Sequence, residues 1–365
     1  MTETNNLNSL NNLSAQSVQI EKMLDNTAAV LGPDSDVAIT SRVRIARNIS
    51  GYPFPVKLNA ENGKKVVETV NNAVKSGGYE FIDFSPLSPL ETGALMEKRV
   101  VSLDFIKNPG EKELIADSEN GLYVMVNEED HLRIQCIKPG FSVDEAYEQA
   151  NKFDNLADGN LEYAYDENFG YLTQCPTNLG TGMRVSVMLH LPALTLNRQL
   201  QNIAADLSKL GLTIRGFYGE GTEVGGDLYQ VSNNITLGIS EEQTLEKLKS
   251  VAGKIIELER TARSELYKNS KDYITDRIKR AYGTVKNAYM ISSAEFLSLY
   301  STIRLGITYG IIRDIDYKPL DTLLVNVMPA NLSLYFAKCE NADGTDNINN
   351  INRDILRAKY IQGII

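Results

Sequence analysis

The segment Thr40-Ser-Arg42-Val-Arg44 sets two arginines two residues apart. In an extended strand that spacing puts both on one face, about 7 Å apart. Two guanidinium groups so placed can grip neighbouring phosphates bidentately. Asn127-Glu128-Glu129-Asp130-His131-Leu132-Arg133 packs three carboxylates, a histidine and an arginine into one short run. Such a run can hold a general base beside a phosphate-binding arginine. Gln174-Cys175-Pro-Thr-Asn-Leu-Gly-Thr-Gly-Met-Arg184 is a turn-rich loop with one thiol and an arginine at its end. Arg215-Gly-Phe-Tyr-Gly219-Glu220-Gly-Thr-Glu223 pairs an arginine with carboxylates in a Gly-rich turn. Taken singly, each reads as a strand edge, a charged hairpin turn or an inert thiol. Together they place Arg42, Arg44, Arg133, Arg184 and Arg215 at strand ends or turns, two of them with carboxylates nearby. Phosphoryl transfer asks little of a protein beyond positioning and charge neutralisation. An Mg²⁺-nucleoside triphosphate held by arginines rather than by a Lys-bearing loop would need this inventory.

Other chemistries are poorly provided for. There is no G-x-x-x-x-G-K-[ST] loop, and no protein-kinase set of Gly-rich loop, H-R-D and D-F-G. His131 and His190 are the only histidines, which excludes most His-based metal sites and leaves few serine-histidine triads. Cys136, Cys175 and Cys339 are too scattered for a disulfide framework and fit reduced thiols in a cytoplasmic protein. The 365 residues are 42% hydrophobic and 23% charged, which excludes a wholly disordered chain. The net charge of −10 argues against broad electrostatic binding to nucleic acid or anionic lipid. No apolar run approaches the roughly 18 residues of a membrane span, and the opening MTETNNLNSLNNLSAQ lacks the features of a signal peptide.

The elements that must position these residues follow from periodicity and caps. Residues 1–20 are polar and Asn-rich and read as a flexible tail. Asn59 to Ser76 carries apolar residues at helical spacing, stopped by Gly77-Gly78. Leu122 to Asn127 and Leu132 to Ile137 read as strands around the acidic run, and Leu161 to Tyr165 and Arg184 to Leu191 as two more. Ser142-Val-Asp-Glu145 and Ser240-Glu-Glu-Gln243 are capping boxes that open helices to about Leu156 and Tyr267. Leu194 to Leu210 reads as one helix. Thr213 to Tyr218 and Leu228 to Leu237 are strand-like around the Gly-rich loop. Ala281 to Ile312 is helical, and a last helix spans Asn352 to about Ile361. The expected fold is α+β: a flexible tail (1–20), an antiparallel-sheet catalytic domain flanked by helices (21–260), then an all-helical C-terminal domain (261–365).

At this point SRVRIARN, VNEEDHLRIQ, TQCPTNLGTGMR and RGFYGEGTEVGGDLYQVSNNITLGISEEQ resemble, in order, the motifs of the ATP:guanido phosphotransferases, the creatine and arginine kinases. The resemblance implies that ATP is held by Thr40, Arg42, Arg44, His131, Arg133, Arg184 and Arg215. Glu129 and Glu220 would hold the acceptor guanidinium, and Cys175 would line its pocket. It implies ATP and Mg²⁺ as cofactors, the metal arriving with the nucleotide and not on protein ligands.

Two departures refine this. Metabolite kinases of the family carry a helical domain of about a hundred residues before the SRVR-type segment, whereas only a short stretch precedes it here. The chain also continues past residue 260 with a helical region. Both features resemble the bacterial protein-arginine kinases, over residues 30–362. In that group R-D-x-x-R-A binds phosphoarginine outside the active site and acts in allosteric control; Arg353, Asp354, Arg357 and Ala358 match it. Arg353 and Arg357 are i, i+4 and share a helix face. Where that group carries a histidine, this chain has Arg99. The implied function is phosphorylation of protein arginine side chains, marking proteins for a Clp-type protease in quality control and stress response. A small zinc-binding activator, a heat-shock repressor and a homodimer or higher oligomer are the implied partners, with no nucleic acid and no membrane. The alternatives are a kinase for free arginine or another guanidino metabolite, and a phosphoarginine-binding adaptor.

Overall fold

The computed structural model describes residues 23, 30–108, 110–216, 225–340 and 350–365. Strands and helices alternate irregularly up to residue 240, and helices follow from there. The chain divides into two compact units.

The first unit comprises Arg44–Cys136 with Tyr147–Gly182. It holds the end of β1 (Ala38–Arg47), α1 (Ala60–Val74), β2 (Glu80–Asp83), α2 (Pro89–Glu97), α3 (Leu103–Lys107), β3 (Glu113–Asp117), β4 (Leu122–Val126), most of β5 (Leu132–Pro139), most of α4 (Val143–Asp158), and the short β6 (Tyr165–Asp166) and β7 (Gly170–Tyr171). Its antiparallel order is β2-β3-β4-β5, followed by β1. Helix α1 starts where the Asn59 side chain accepts from the Asn62 N–H. Val66, Val70 and Val74, one turn apart, are buried, each worth about 1.5–3 kcal/mol relative to exposure. The register Met125↔Arg133 and Val126↔Leu132 brings the acidic run to the turn between β4 and β5.

The second unit comprises Ala29–Val43, Ile137–Ala146 and Met183–Ile365. It adds β8 (Met183–His190), α5 (Pro192–Leu196), α6 (Leu200–Lys209), β9 (Leu212–Gly216), β10 (Leu228–Asn233), α7 (Glu241–Asn287), α8 (Ser293–Thr308), α9 (Tyr317–Asn326), α10 (Pro329–Glu340) and α11 (Asn350–Gln362). Here the order is β8-β10-β9, all antiparallel. An apolar core joins Met188 and Leu228 of the sheet to Ile278, Phe296, Tyr300, Leu323 and Ile361 of the helices.

Three elements differ from the sequence reading. Leu194 to Leu210 is two helices, because Arg198 takes a left-handed φ of 56° and breaks the hydrogen-bond ladder. Leu161 to Tyr165 forms only an isolated bridge, Ile49↔Tyr163, before the two-residue β6. Helix α7 has its kink at Ser270 (φ −139°, ψ 36°), close to the expected end near Tyr267, and continues beyond it to Asn287. Residue 260 lies within α7, ahead of the kink at Ser270.

Candidate active site

The acidic run is a tight turn locked by buried polar groups. Asn127 sits at φ 61°, a left-handed conformation that Asn tolerates, and its N–H closes the turn on the His131 carbonyl at 3.0 Å. Its amide also donates to the Gly63 and Glu111 carbonyls. Glu128 is buried, and its carboxylate accepts from the Ser102 hydroxyl, the Glu129 N–H and Arg133. Arg133 reaches both Glu128 (3.1 Å) and Glu129 (3.3 Å). Glu129 alone of these acids presents its carboxylate to solvent, with a side chain 32% exposed. Partial burial raises its pKa above the ordinary 4.5; Arg133 opposes the rise, and Asp130 and Glu128 add to it.

Asp130 ties this turn to the thiol loop. One of its oxygens accepts from both the Asn48 amide (2.6 Å) and the Gln174 N–H (2.8 Å). Gln174 precedes Cys175, whose Sγ lies 3.1 Å from the Thr177 hydroxyl. The Asp130–Gln174 bond thus joins the acidic turn to the loop that carries Cys175, within the first unit. Gly182, at φ +65°, closes the thiol loop; a Cβ there would stand 2.5 Å from the Ala46 carbonyl oxygen.

His131 takes a different place from the nucleotide contact expected of it. It is fully buried, its Nδ1 accepts from the Ile49 N–H, and its Nε2 donates to the Pro53 carbonyl. Both ring nitrogens are spent on backbone, and burial pushes the imidazole down to about 4, so it stays neutral. It braces the turn from below.

On β1 the even positions Thr40, Arg42 and Arg44 are half-buried while Ser41, Val43 and Ile45 are buried, so the three share one face. Arg47, three residues on, is buried instead, with Asp154 at 2.7 Å and its guanidinium 3.5 Å from the centre of the Tyr171 ring. In the second unit, Ser186↔Ser232 and Gln230↔Arg215 are cross-strand pairs, which puts Arg184 and Arg215 on one face of that sheet. Arg184 donates to the Ser232 hydroxyl at 3.2 Å. Glu220 lies outside the described residues.

The R-D-x-x-R-A segment lies on α11. Arg357 is buried; it donates to the Val327 and Ile291 carbonyls and pairs with Asp354. Ala358 is buried too, and Arg353 is half-buried.

Two family models match the chain: the C-terminal catalytic domain of the ATP:guanido phosphotransferases over residues 61–262, and the C-terminal domain of the protein-arginine kinase McsB over residues 271–365. The chain belongs to the ATP:guanido phosphotransferase family. Among similar guanido kinases is a protein-arginine kinase of Caldanaerobacter subterraneus, 44% identical over 90% of this chain and 96% of that one. Protein-arginine kinases of Pelotomaculum thermopropionicum and Clostridium tetani are 44% and 43% identical, over 91% and 83% of this chain and 93% and 90% of theirs. The fold matches a lombricine kinase (TM-score 0.57, 24% identity, 66% of this chain and 71% of that one). It also matches a duplicated taurocyamine kinase of Schistosoma mansoni (TM-score 0.58, 22% identity, 75% and 41%). The antiparallel sheet flanked by helices is thus the guanido-kinase fold, here continued by a helical C-terminal region.

Proposed function

We propose that this chain transfers the γ-phosphoryl group of ATP to arginine side chains of proteins. One observation carries the reading. A half-exposed carboxylate, Glu129, is fixed beside Arg133 in a chain whose relatives, similar through the helical region as well, bear the name protein-arginine kinase. In this reading residues 21–260 are catalytic and 261–365 form a regulatory and dimerising region.

The acceptor is the difficulty. A guanidinium has a pKa above 12 and is a poor nucleophile until a proton is shared or lost. Glu129 and Glu220 orient its planar fork by charge-assisted hydrogen bonds, and one of them accepts the proton. The freed nitrogen attacks the γ-phosphorus, the bond from that phosphorus to the bridging oxygen breaks, and ADP leaves. The raised pKa of Glu129 makes it a better base than an exposed carboxylate. Cys175 lines the guanidine pocket. Arg42, Arg44, Arg133, Arg184 and Arg215 grip the phosphates, with Thr40 on the Arg42 face. Their placement in pairs on single faces of strands suits a polyanion. Mg²⁺ arriving with the nucleotide would add charge neutralisation.

A protein acceptor further implies that Arg353, Asp354, Arg357 and Ala358 recognise phosphoarginine away from the active site. Asp354 and Arg353 are then the groups that meet the ligand, with Arg357 fixing Asp354 from below. A zinc-binding activator, a heat-shock repressor, a Clp-type protease and a second copy of the chain are the partners this reading expects.

The test is ADP release at neutral pH with Mg²⁺-ATP and either a loosely folded arginine-rich protein or free arginine. Turnover with the protein and little with free arginine supports the reading. Turnover with free arginine alone makes the chain a metabolite kinase.

A further inference from the structure

The acidic turn leans on a segment of the same unit that the chemistry proposed above does not use. Residues 98–102 join α2 to α3, and Arg99 among them takes a left-handed φ of 63°. The buried Gln135, on β5 two residues after Arg133, donates to the Arg99 carbonyl at 2.8 Å and to the Val100 carbonyl at 2.6 Å. The Ser102 N–H donates to the Met125 sulfur of β4 at 3.3 Å. The connection is thus tied to both strands that flank the turn. Ser102 is the N-cap of α3, and its hydroxyl oxygen accepts from the Phe105 N–H at 3.0 Å. A serine hydroxyl carries one proton, and this one goes to Oε1 of Glu128. The other oxygen of that carboxylate, Oε2, accepts from the Glu129 N–H at 2.8 Å and from Arg133 at 3.1 Å. Each oxygen therefore has its own task, one facing the helix cap and one facing the reacting side of the turn. The Glu128 side chain is only 1% exposed, so solvent does not replace a lost donor easily.

We infer that Ser102 is a positioning residue for phosphoryl transfer: its hydroxyl fixes the rotation of the Glu128 carboxylate, and through it the places of Arg133 and of the Glu129 backbone. The inference rests on the reading of Glu129 as the group that meets the acceptor and of Arg133 as a phosphate contact. Without the hydroxyl, Oε1 of Glu128 is a buried acceptor that has lost its donor, which is costly. Rotation of the carboxylate toward the Arg133 guanidinium or the Glu129 N–H relieves that cost. Either rotation disturbs Arg133, which Glu128 shares with Glu129 at 3.3 Å. A satisfied buried network has few alternative arrangements, and that is what holding a reacting pair in one geometry requires. The local sequence shows Ser102 only as a helix cap, because its second bond spans 26 residues.

The experiment is a double-mutant cycle on the full chain, read as ADP release with Mg²⁺-ATP and an arginine-rich protein, at a temperature where every variant is folded. Ser102→Ala is expected to lower kcat about tenfold, since small misplacements of a reacting group are costly. KM for ATP should change little, because Arg42, Arg44, Arg184 and Arg215 are untouched. Ser102→Thr keeps both the hydroxyl and the cap and is expected to restore the rate. In a Glu128→Gln background Ser102→Ala is expected to cost much less, because residues in one hydrogen-bond network are not additive. An unchanged kcat in Ser102→Ala, an equal fold loss in both backgrounds, or a loss that Ser102→Thr does not restore would overturn the inference alone. Should Glu128→Gln be inactive, the alanine and threonine variants decide by themselves. Glu129→Gln is measured alongside, and its full activity would instead remove the reading on which the inference rests. Should Ser102→Ala fold poorly, Ser102→Gly, which costs a helix start far less than Ala, carries the same outcomes.

Discussion

The turn at Asn127–Arg133 and the helix segment at Arg353–Ala358 are built from the same residue types and use them in opposite ways. In the turn, the buried groups are the supports: Glu128, Asp130 and His131 spend themselves on Ser102, Asn48, Gln174, Ile49 and Pro53. What they leave in solvent is Glu129, poised beside Arg133. In the helix segment the arginine itself is the support, since Arg357 satisfies two backbone carbonyls and pins Asp354. Burial, not residue type, separates a group that meets a ligand from one that holds another in place. Strand β1 repeats the contrast within a few residues, with Arg42 and Arg44 on the half-buried face and Arg47 sunk against Asp154 and Tyr171.

The comparison breaks most readily at Glu129. Replacing it with Gln keeps the shape and removes the base, and kcat is expected to fall by about 10²–10⁴ with the melting temperature unchanged. Steady-state ADP release beside a thermal melt reads both, and a thermal loss without a kinetic one would put Glu129 among the supports. Arg357→Ala should do the reverse. It strands two buried carbonyls and unpairs Asp354, at a cost of about 3 kcal/mol of stability. Urea titration measures this, and Arg353→Ala, on the same helix and only half-buried, should cost less. A stable Arg357→Ala variant would mean that its backbone bonds contribute little. The phosphate side is sharpened by Arg42→Lys, which keeps the charge and loses the fork; an increase of about tenfold in KM for ATP is expected, with KM for the protein acceptor unchanged. The smallest effect is a pH shift. Only the ionised carboxylate of Glu129 can accept a proton, so the rate should fall as pH drops through its raised pKa. Arg133 lowers that pKa, so in Arg133→Gln the acidic limb should move to higher pH. Initial rates by ADP release avoid the acid lability of the N–P bond, and an unmoved limb would assign it to another group.

Much of this was legible in the residues, and what was not has a common cause. Strands β4 and β5 are short apolar runs on either side of an acidic turn, and the Ser240 capping box opens α7 as its sequence indicates. Arg42 and Arg44 share a face because the period of a strand leaves no choice. By contrast, Glu128 and Asp130 look like Glu129 in sequence; their partners Ser102, Asn48 and Gln174 are 26, 82 and 44 residues away. His131, placed at the nucleotide only by the resemblance, spends its ring on Ile49 and Pro53, 82 and 78 residues away. The break at Arg198 is a single backbone rotation that no periodicity reports. Long-range satisfaction of buried polar groups is invisible to local pattern, and it is what distinguishes the supports from the groups proposed to react.

The most direct measurement is mass spectrometry at neutral pH of an arginine-rich protein incubated with this chain and Mg²⁺-ATP, alongside the Glu129→Gln variant. The account predicts one phosphoryl group gained on arginine residues with the unaltered chain, and a loss of nearly all of that signal with the variant. Equal arginine phosphorylation by both would contradict the assignment of Glu129. Phosphorylation confined to other residue types would contradict the guanidino acceptor itself.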